Sequence, residues 1–429
     1  MKKRLPLSVT LVCAGCLGGP SYTGPTTPPP TTPAELVTLH DEMRVAGLED
    51  RRFTYDTYWR AVSPFVGGAV SERVVGASAE GRAIRHLTFG GGPTRVLLWS
   101  QMHGNESTAS MALADVIRFL HESPDHPLAR RVAEGSTVHM IPMLNPDGAE
   151  RFQRRNAQGV DVNRDARLLQ TPEGRVLKVV RDEVEPHFGF NLHDQNAGTR
   201  VGQSDRGVAI ALLAPAFNEA RDVDDKRRRA MQVATLLIEA VDPLVGDHVA
   251  KYDDTYNAQA FGDLMGAWGA STVLIESGSW EDDSQKQHLR KVNFVGILTA
   301  LDAIATGRYA EYDPAVYEAL EYNGRSMPDL LILGGSIAVP GLPTLAADIL
   351  VNYERPLLKR AGVIADIGDL GGVQAQDTLH VDGLHLVPMP EALEDGALNV
   401  GAPAHFLVTE DAQGRRTRFV FEGALPNRR

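Results

Sequence analysis

Residues 95–106 read Arg95-Val96-Leu97-Leu98-Trp99-Ser100-Gln101-Met102-His103-Gly104-Asn105-Glu106, an apolar run that stops at a histidine and, three residues later, a glutamate. Consecutive apolar side chains at 96–99 have the texture of a strand buried on both faces. Gly104-Asn105 is turn chemistry, which lets both polar side chains leave the strand end and converge. An imidazole and a carboxylate meeting at a strand's carboxyl end point to a metal site. His-x-x-Glu alone is a weak signal, so its weight depends on what stands at other strand ends.

Outward from this stretch the same pattern recurs. Residues 138–144 form another apolar run, which enters the turn Asn145-Pro146-Asp147-Gly148. Residues 188–192 stop at His193-Asp194-Gln195-Asn196, and 271–275 stop at Glu276. Between these expected strands, Met111, Ala114, Ile117, Phe119 and Leu120 are spaced for an amphipathic helix. Pro172-Glu173 opens a helix running to about 184, and helices are expected over about 228–240 and 292–306. Residues 74–76 and 84–89 read as a hairpin around Glu80-Gly81-Arg82, while 34–49 and 54–63 have helical spacing. Residues 198–230, rich in Gly and charge, read as largely irregular. The expected fold class is α/β: a mixed, mostly parallel twisted sheet with helices on both faces. Four strands that each deliver polar residues past their carboxyl ends mark that edge as the site.

Beyond about residue 321 short apolar segments at 330–333, 347–351, 384–388 and 404–408 are punctuated by Gly and Pro, as in a small β-rich domain. The chain therefore divides into 35–320, a catalytic domain, and 321–429, an accessory one, as a length of 429 residues suggests. Formal net charge is -12, and the basic run at 226–229 is flanked by Asp222, Asp224 and Asp225. No nucleic-acid partner is expected of such a surface.

Both cysteines, Cys13 and Cys16, lie in the first sixteen residues. Met1-Lys2-Lys3-Arg4 is a positive start, and 5–15 is a short, mostly apolar stretch ending in small residues, as in an export signal. It is too short to span a bilayer as a helix. Cys13-Ala14-Gly15-Cys16 resembles a bacterial lipoprotein signal in which Cys16 would carry the lipid, although Cys13 stands where that pattern usually has Leu. The alternative is an ordinary cleaved signal. Membrane contact is expected only through such an anchor, with the protein in the cell envelope or periplasm. Residues 17–34, rich in Pro, Thr and Gly, read as a tether.

Taken in order, His103-Gly104-Asn105-Glu106, Asn145-Pro146-Asp147-Gly148, Asp161-Val162-Asn163-Arg164, His193 and Glu276 resemble the zinc metallocarboxypeptidases of the carboxypeptidase A type, over roughly residues 70–305. The resemblance implies one zinc ion per chain held by His103, Glu106 and His193. Two histidines and a carboxylate leave a fourth position for water. It assigns the general base to Glu276, the donor to the scissile carbonyl oxygen to Arg154, with Arg155 the neighbour that a one-residue slip would select, and the grip on the terminal carboxylate to Asn163 and Arg164. Asp161 matches the carboxylate that orients the first zinc histidine, and Tyr256 the tyrosine that closes over substrate. Asp194 departs from the family, which often has Ser there. His86, His139 and His187 fall outside the pattern and are expected at the surface or packed.

The implied substrates are peptides or peptidoglycan stem peptides. N-acyl amino acids, which the same carboxylate clamp would suit, are an alternative, and a catalytically silent binding protein is the alternative of a different class.

Overall fold

The computed structural model describes residues 30–324, 326–355, 359–394 and 396–425. The stretch expected to be an export signal, Cys13, Cys16 and most of the expected tether therefore lie outside the described residues.

The central sheet has eight strands: β1 (Val70–Ala77), β2 (Ala83–Gly90), β3 (Thr94–Ser100), β4 (Ser136–Ile141), β5 (Phe188–Asp194), β6 (Ile210–Leu213), β7 (Val249–Lys251) and β8 (Ser271–Ser277). Their order is β1-β2-β4-β3-β5-β8-β6-β7. β4, β3, β5 and β8 run parallel at its centre, while β1, β2 and β6 join antiparallel.

The quoted stretch explains the layering. Val96 and Leu98 enter one apolar cluster while Leu97 and Trp99 enter another on the opposite face, as a two-residue period requires. The first cluster takes side chains from α1 (Pro33–Met43), α2 (Tyr55–Val62), α3 (Thr108–Glu122), α4 (Pro127–Gly135), α7 (Asp225–Val245) and α9 (Gln287–Thr306). The second takes Leu177 and Val180 of α6 (Pro172–Val184) and Phe261 and Met265 of α8 (Phe261–Ala267). The short helix α5 (Pro146–Arg151) follows the Asn145 turn.

Two sequence expectations change. The first helix stops at Met43 and not near 49, because Asp115 and Arg290, both fully buried and paired at 2.6 Å, claim the following backbone. Asp115 accepts from the N–H of Val45 at 2.8 Å, and Arg290 donates to the carbonyls of Val45 and Leu48, each at 2.9 Å. The stretch 198–230 contains β6, whose Ala211 is the register partner of Glu276. The apolar run 208–214 is too short and too uniform to show a period, and only its neighbours make four of its residues a strand.

After residue 321 short strands form further sheets around a separate cluster that includes Leu330, Ile349, Phe406 and Phe421. They belong to the same compact unit as the large sheet.

Candidate metal centre and substrate cavity

β3 ends at Ser100, and Gln101 takes a left-handed backbone (φ 53) that turns the chain out of the sheet. Its amide donates to the carbonyl of Gly104 at 3.0 Å, and the Asn145 amide donates to the carbonyl of Met102 at 3.1 Å. A Cβ on Gly104 would lie 1.9 Å from the carbonyl carbon of Gly148, so only glycine permits this approach. The two turn motifs thus brace each other and fix where His103 and Glu106 point. On the neighbouring strands His193 of β5 and Glu276 of β8 are direct register partners.

His103, Glu106 and His193, all buried, each offer a ligand atom within 4.8 Å of the others. Nδ1 of His103 lies 2.8 Å from Glu106 Oε1, and Nδ1 of His193 lies 2.7 Å from Glu106 Oε2 and 3.2 Å from His103 Nδ1. Nε2 of His103 meets Asp161 Oδ1 at 2.9 Å. A proton on Nε2 for that bond leaves the Nδ1 lone pair facing the cluster. Two imidazoles and one carboxylate converging in a buried pocket are the donor set that catalytic zinc takes. Burial acts to raise the Glu106 carboxyl, but the imidazoles of His103 and His193 outweigh it and hold the group well below the usual carboxylate range.

Glu276 is the opposite case. Burial, then the charges of Glu106 and Asp194, push its pKa well above an ordinary glutamate's, and its Oε2 is buried with no hydrogen-bond partner among the described residues. Such a carboxyl binds a proton readily, which suits proton transfer.

His103, Glu106 and Glu276 open on a cavity of about 1320 Å³. Arg154 stands at its wall, donating to Glu106 Oε1 at 3.0 Å and to Asp161 Oδ2 at 3.1 Å, whereas Arg155 turns to the carbonyl of Gly159. Asn163 and Arg164 line the same cavity. The Asn163 oxygen accepts the N–H of Phe261 at 2.9 Å, which fixes the amide so that its NH₂ is the end left for a ligand. Tyr256 lines the cavity, and so does Tyr252, which sequence reading passed over. The Tyr252 phenol is pushed up to about 12, first by the charge of Glu276 and then by burial, so it lies in the field of that carboxylate.

Other wall residues also escaped the sequence reading. Asp263, raised to about 6 by burial, lies in the first turn of α8, and Arg51 comes from the loop between α1 and α2. Tyr353 and Glu354 come from the C-terminal strands. A tyrosine spacing close to that of Tyr256 was the one available signal, and it fits Tyr252 as well; the rest carry no motif.

Residues 57–194 match the family described as zinc carboxypeptidase. Carboxypeptidase 2 of Trichophyton rubrum is 30% identical over 126 residues, which are 29% of this chain and 23% of the relative. Carboxypeptidase SOL1 of Arabidopsis thaliana is 35% identical over 65 residues, 15% of this chain and 13% of the relative. The chain thus spans about a quarter or less of the length of these curated relatives. Among solved structures, a metallo-carboxypeptidase from Pseudomonas aeruginosa in complex with (2-guanidinoethylmercapto)succinic acid aligns over 65% of this chain and 70% of its own, at 16% identity and TM-score 0.45. A metallo-carboxypeptidase from Burkholderia cenocepacia aligns over 58% and 68%, at 18% identity and TM-score 0.44.

Proposed function

We propose, starting from the match of residues 57–194 to the zinc carboxypeptidase family, that this protein is a zinc-dependent carboxypeptidase releasing the C-terminal residue of peptides. The observation that carries the reading is the convergence of His103, Glu106 and His193 at the edge of a cavity that His103, Glu106, Glu276, Asn163 and Arg164 line.

His103, Glu106 and His193 would hold the metal. When bound, zinc supplies the Lewis acid that makes water nucleophilic at a pH near ~7. Glu276 takes the proton from the attacking water and returns it to the leaving amine, a role its raised basicity suits. Arg154 supplies a guanidinium for the carbonyl oxygen as it gains charge. Asn163 and Arg164 grip the terminal carboxylate through amide and guanidinium donors. Tyr252 and Tyr256 flank the bound chain, and Asp161 holds the His103 ring in place.

In this reading residues 35–320 act as the catalytic domain and 321–429 as an accessory one. Export to the cell envelope, with a possible lipid on Cys16, is proposed from residues 1–16 alone.

The test is a substrate screen on the zinc-loaded protein with C-terminally varied peptides, muropeptides and N-acyl amino acids. Release of a C-terminal amino acid, abolished by a chelator, is the expected outcome. Chelator-insensitive release, or no release from any zinc-loaded sample, would overturn it. Arg164→Ala should abolish the preference for free over amidated C-termini, at a cost of about 1.5–3 kcal/mol in transition-state binding.

A further inference from the structure

Asp194 follows a proposed metal ligand and is itself buried, so its charge needs a partner. Its closest partner is Arg51, 8% exposed, from a segment that precedes the matched residues 57–194, with the buried Lys286 ammonium farther off at 3.9 Å. One nitrogen, Nη2, donates to Asp194 Oδ2 at 2.9 Å and to the carbonyl of Asn105 at 2.9 Å. Asn105 lies between His103 and Glu106, and Asp194 lies next to His193. Arg51 therefore bridges the loop that carries two proposed ligands and the strand end that carries the third.

The bridge is anchored on every side. Ser107 Oγ donates to the Arg51 carbonyl at 2.7 Å, and the Arg51 N–H donates to Gln285 Oε1 at 3.0 Å. The guanidinium sits 5.2 Å from the Phe152 ring centre. Thr108 Oγ1 donates to Asp194 Oδ2 at 2.8 Å, and the Asp194 N–H donates to Glu106 Oε2 at 3.2 Å. Asp194 stays outside the converging group of His103, Glu106 and His193.

We infer that Arg51 is a positioning residue for the metal centre, setting the separation between the His103–Glu106 loop and His193 and holding the Asp194 carboxylate away from the ion. This rests on the zinc carboxypeptidase reading. Removing Arg51 leaves two consequences that a remote structural residue would not cause. The ligand loop loses a tether on the carbonyl between its two ligands, and a buried carboxylate beside the third ligand loses its nearer counter-charge and keeps only Lys286, at 3.9 Å.

The experiment uses the full chain and compares wild type, Arg51→Met and Arg51→Lys. It reads zinc affinity by chelator competition, the visible spectrum of the cobalt(II) form, and melting of the metal-free protein. Arg51→Met should weaken zinc binding about 10- to 100-fold and alter the cobalt bands. Arg51→Lys should regain part of the affinity, because a single ammonium can serve both acceptors that Nη2 serves now. Zinc affinity within about twofold of wild type and an unchanged cobalt spectrum in Arg51→Met would overturn the inference. If that variant does not fold, Arg51→Gln, which keeps donors without charge, is judged by the same criterion. A wild-type protein that binds no zinc would instead defeat the carboxypeptidase reading, so the two failures are distinct.

Discussion

Two histidine pairs have nearly the same ring separation, one at the edge of the central sheet and one inside it: 4.8 Å for His103 and His193 and 5.1 Å for His86 and His139. The first pair stands at strand ends around a shared carboxylate, with His103 tied behind to Asp161. The second faces across β2 and β4 within the strands, and its nitrogens satisfy one another. Arg73 Nε donates to His86 Nδ1 at 3.1 Å, and His86 Nε2 meets His139 Nδ1 at 3.0 Å. A nearby guanidinium and a neutral chain of hydrogen bonds leave nothing there for a cation. Proximity of imidazoles therefore does not make a metal site; lone pairs aimed at one point beside a carboxylate do.

The sharpest way to break that contrast is to remove one ring from each pair. His193→Ala should abolish zinc binding and turnover, whereas His139→Ala should keep one zinc per chain by metal analysis. Loss of zinc from the His139 variant would sink the distinction. Next in size, Glu276→Gln should lower kcat/KM by about 10²- to 10⁴-fold with zinc content retained. A variant that loses its zinc as well would make Glu276 part of the metal site and not the base. Gly104→Ala should weaken zinc binding about 10- to 100-fold, since its Cβ would sit 1.9 Å from the Gly148 carbonyl carbon and the ligand loop must move. Unchanged affinity there would show that the loop position is not decisive.

The smallest effect belongs to the second pair. Burial depresses His86 to about 3 and His139 to about 4, with the His139 charge and then Arg73 adding to the first and Arg73 to the second. Folded values below the unfolded ~6.5 mean that the unfolded chain binds these protons first. The pair's contribution to stability is then complete above about pH 6.5 and is lost progressively as pH falls toward 4 and then 3. Melting temperatures of metal-free wild type and His86→Gln between pH 7 and 5 check this. The variant should show the shallower decline, and parallel curves would remove the pair from the acid response.

Legibility in the sequence followed the range of the interactions. The strand beginning at 95 was readable because burial on both faces writes itself as consecutive apolar residues, and α6 because Pro172-Glu173 marks its start. His103, Asn145, His193 and Glu276 were readable for the same reason, each at the end of a local apolar run, whereas Asp161, Asn163 and Arg164 lie in a polar loop and were legible only through the family resemblance. β6 was not, since a four-residue strand is defined by its pairing with β8. Arg51 was not, since an arginine between two short helices has no local mark. Its role comes from Asn105 and Asp194, residues distant in the chain. Between Tyr252 and Tyr256, spacing favoured one and the field of Glu276 marks the other.

By itself, then, the sequence determined the α/β layering, the strand edge at which polar residues gather and the identity of the donor set, because period, turn chemistry and residue type are local. Only the tertiary structure decided which atoms face one another. It turned His103 so that Nε2 meets Asp161, set Glu276 beside His193 in register, and brought Arg51 and the C-terminal Glu354 to the cavity. Those outcomes depend on contacts between segments far apart in the chain, whose geometry is fixed by close packing and by the need to pair every buried charge.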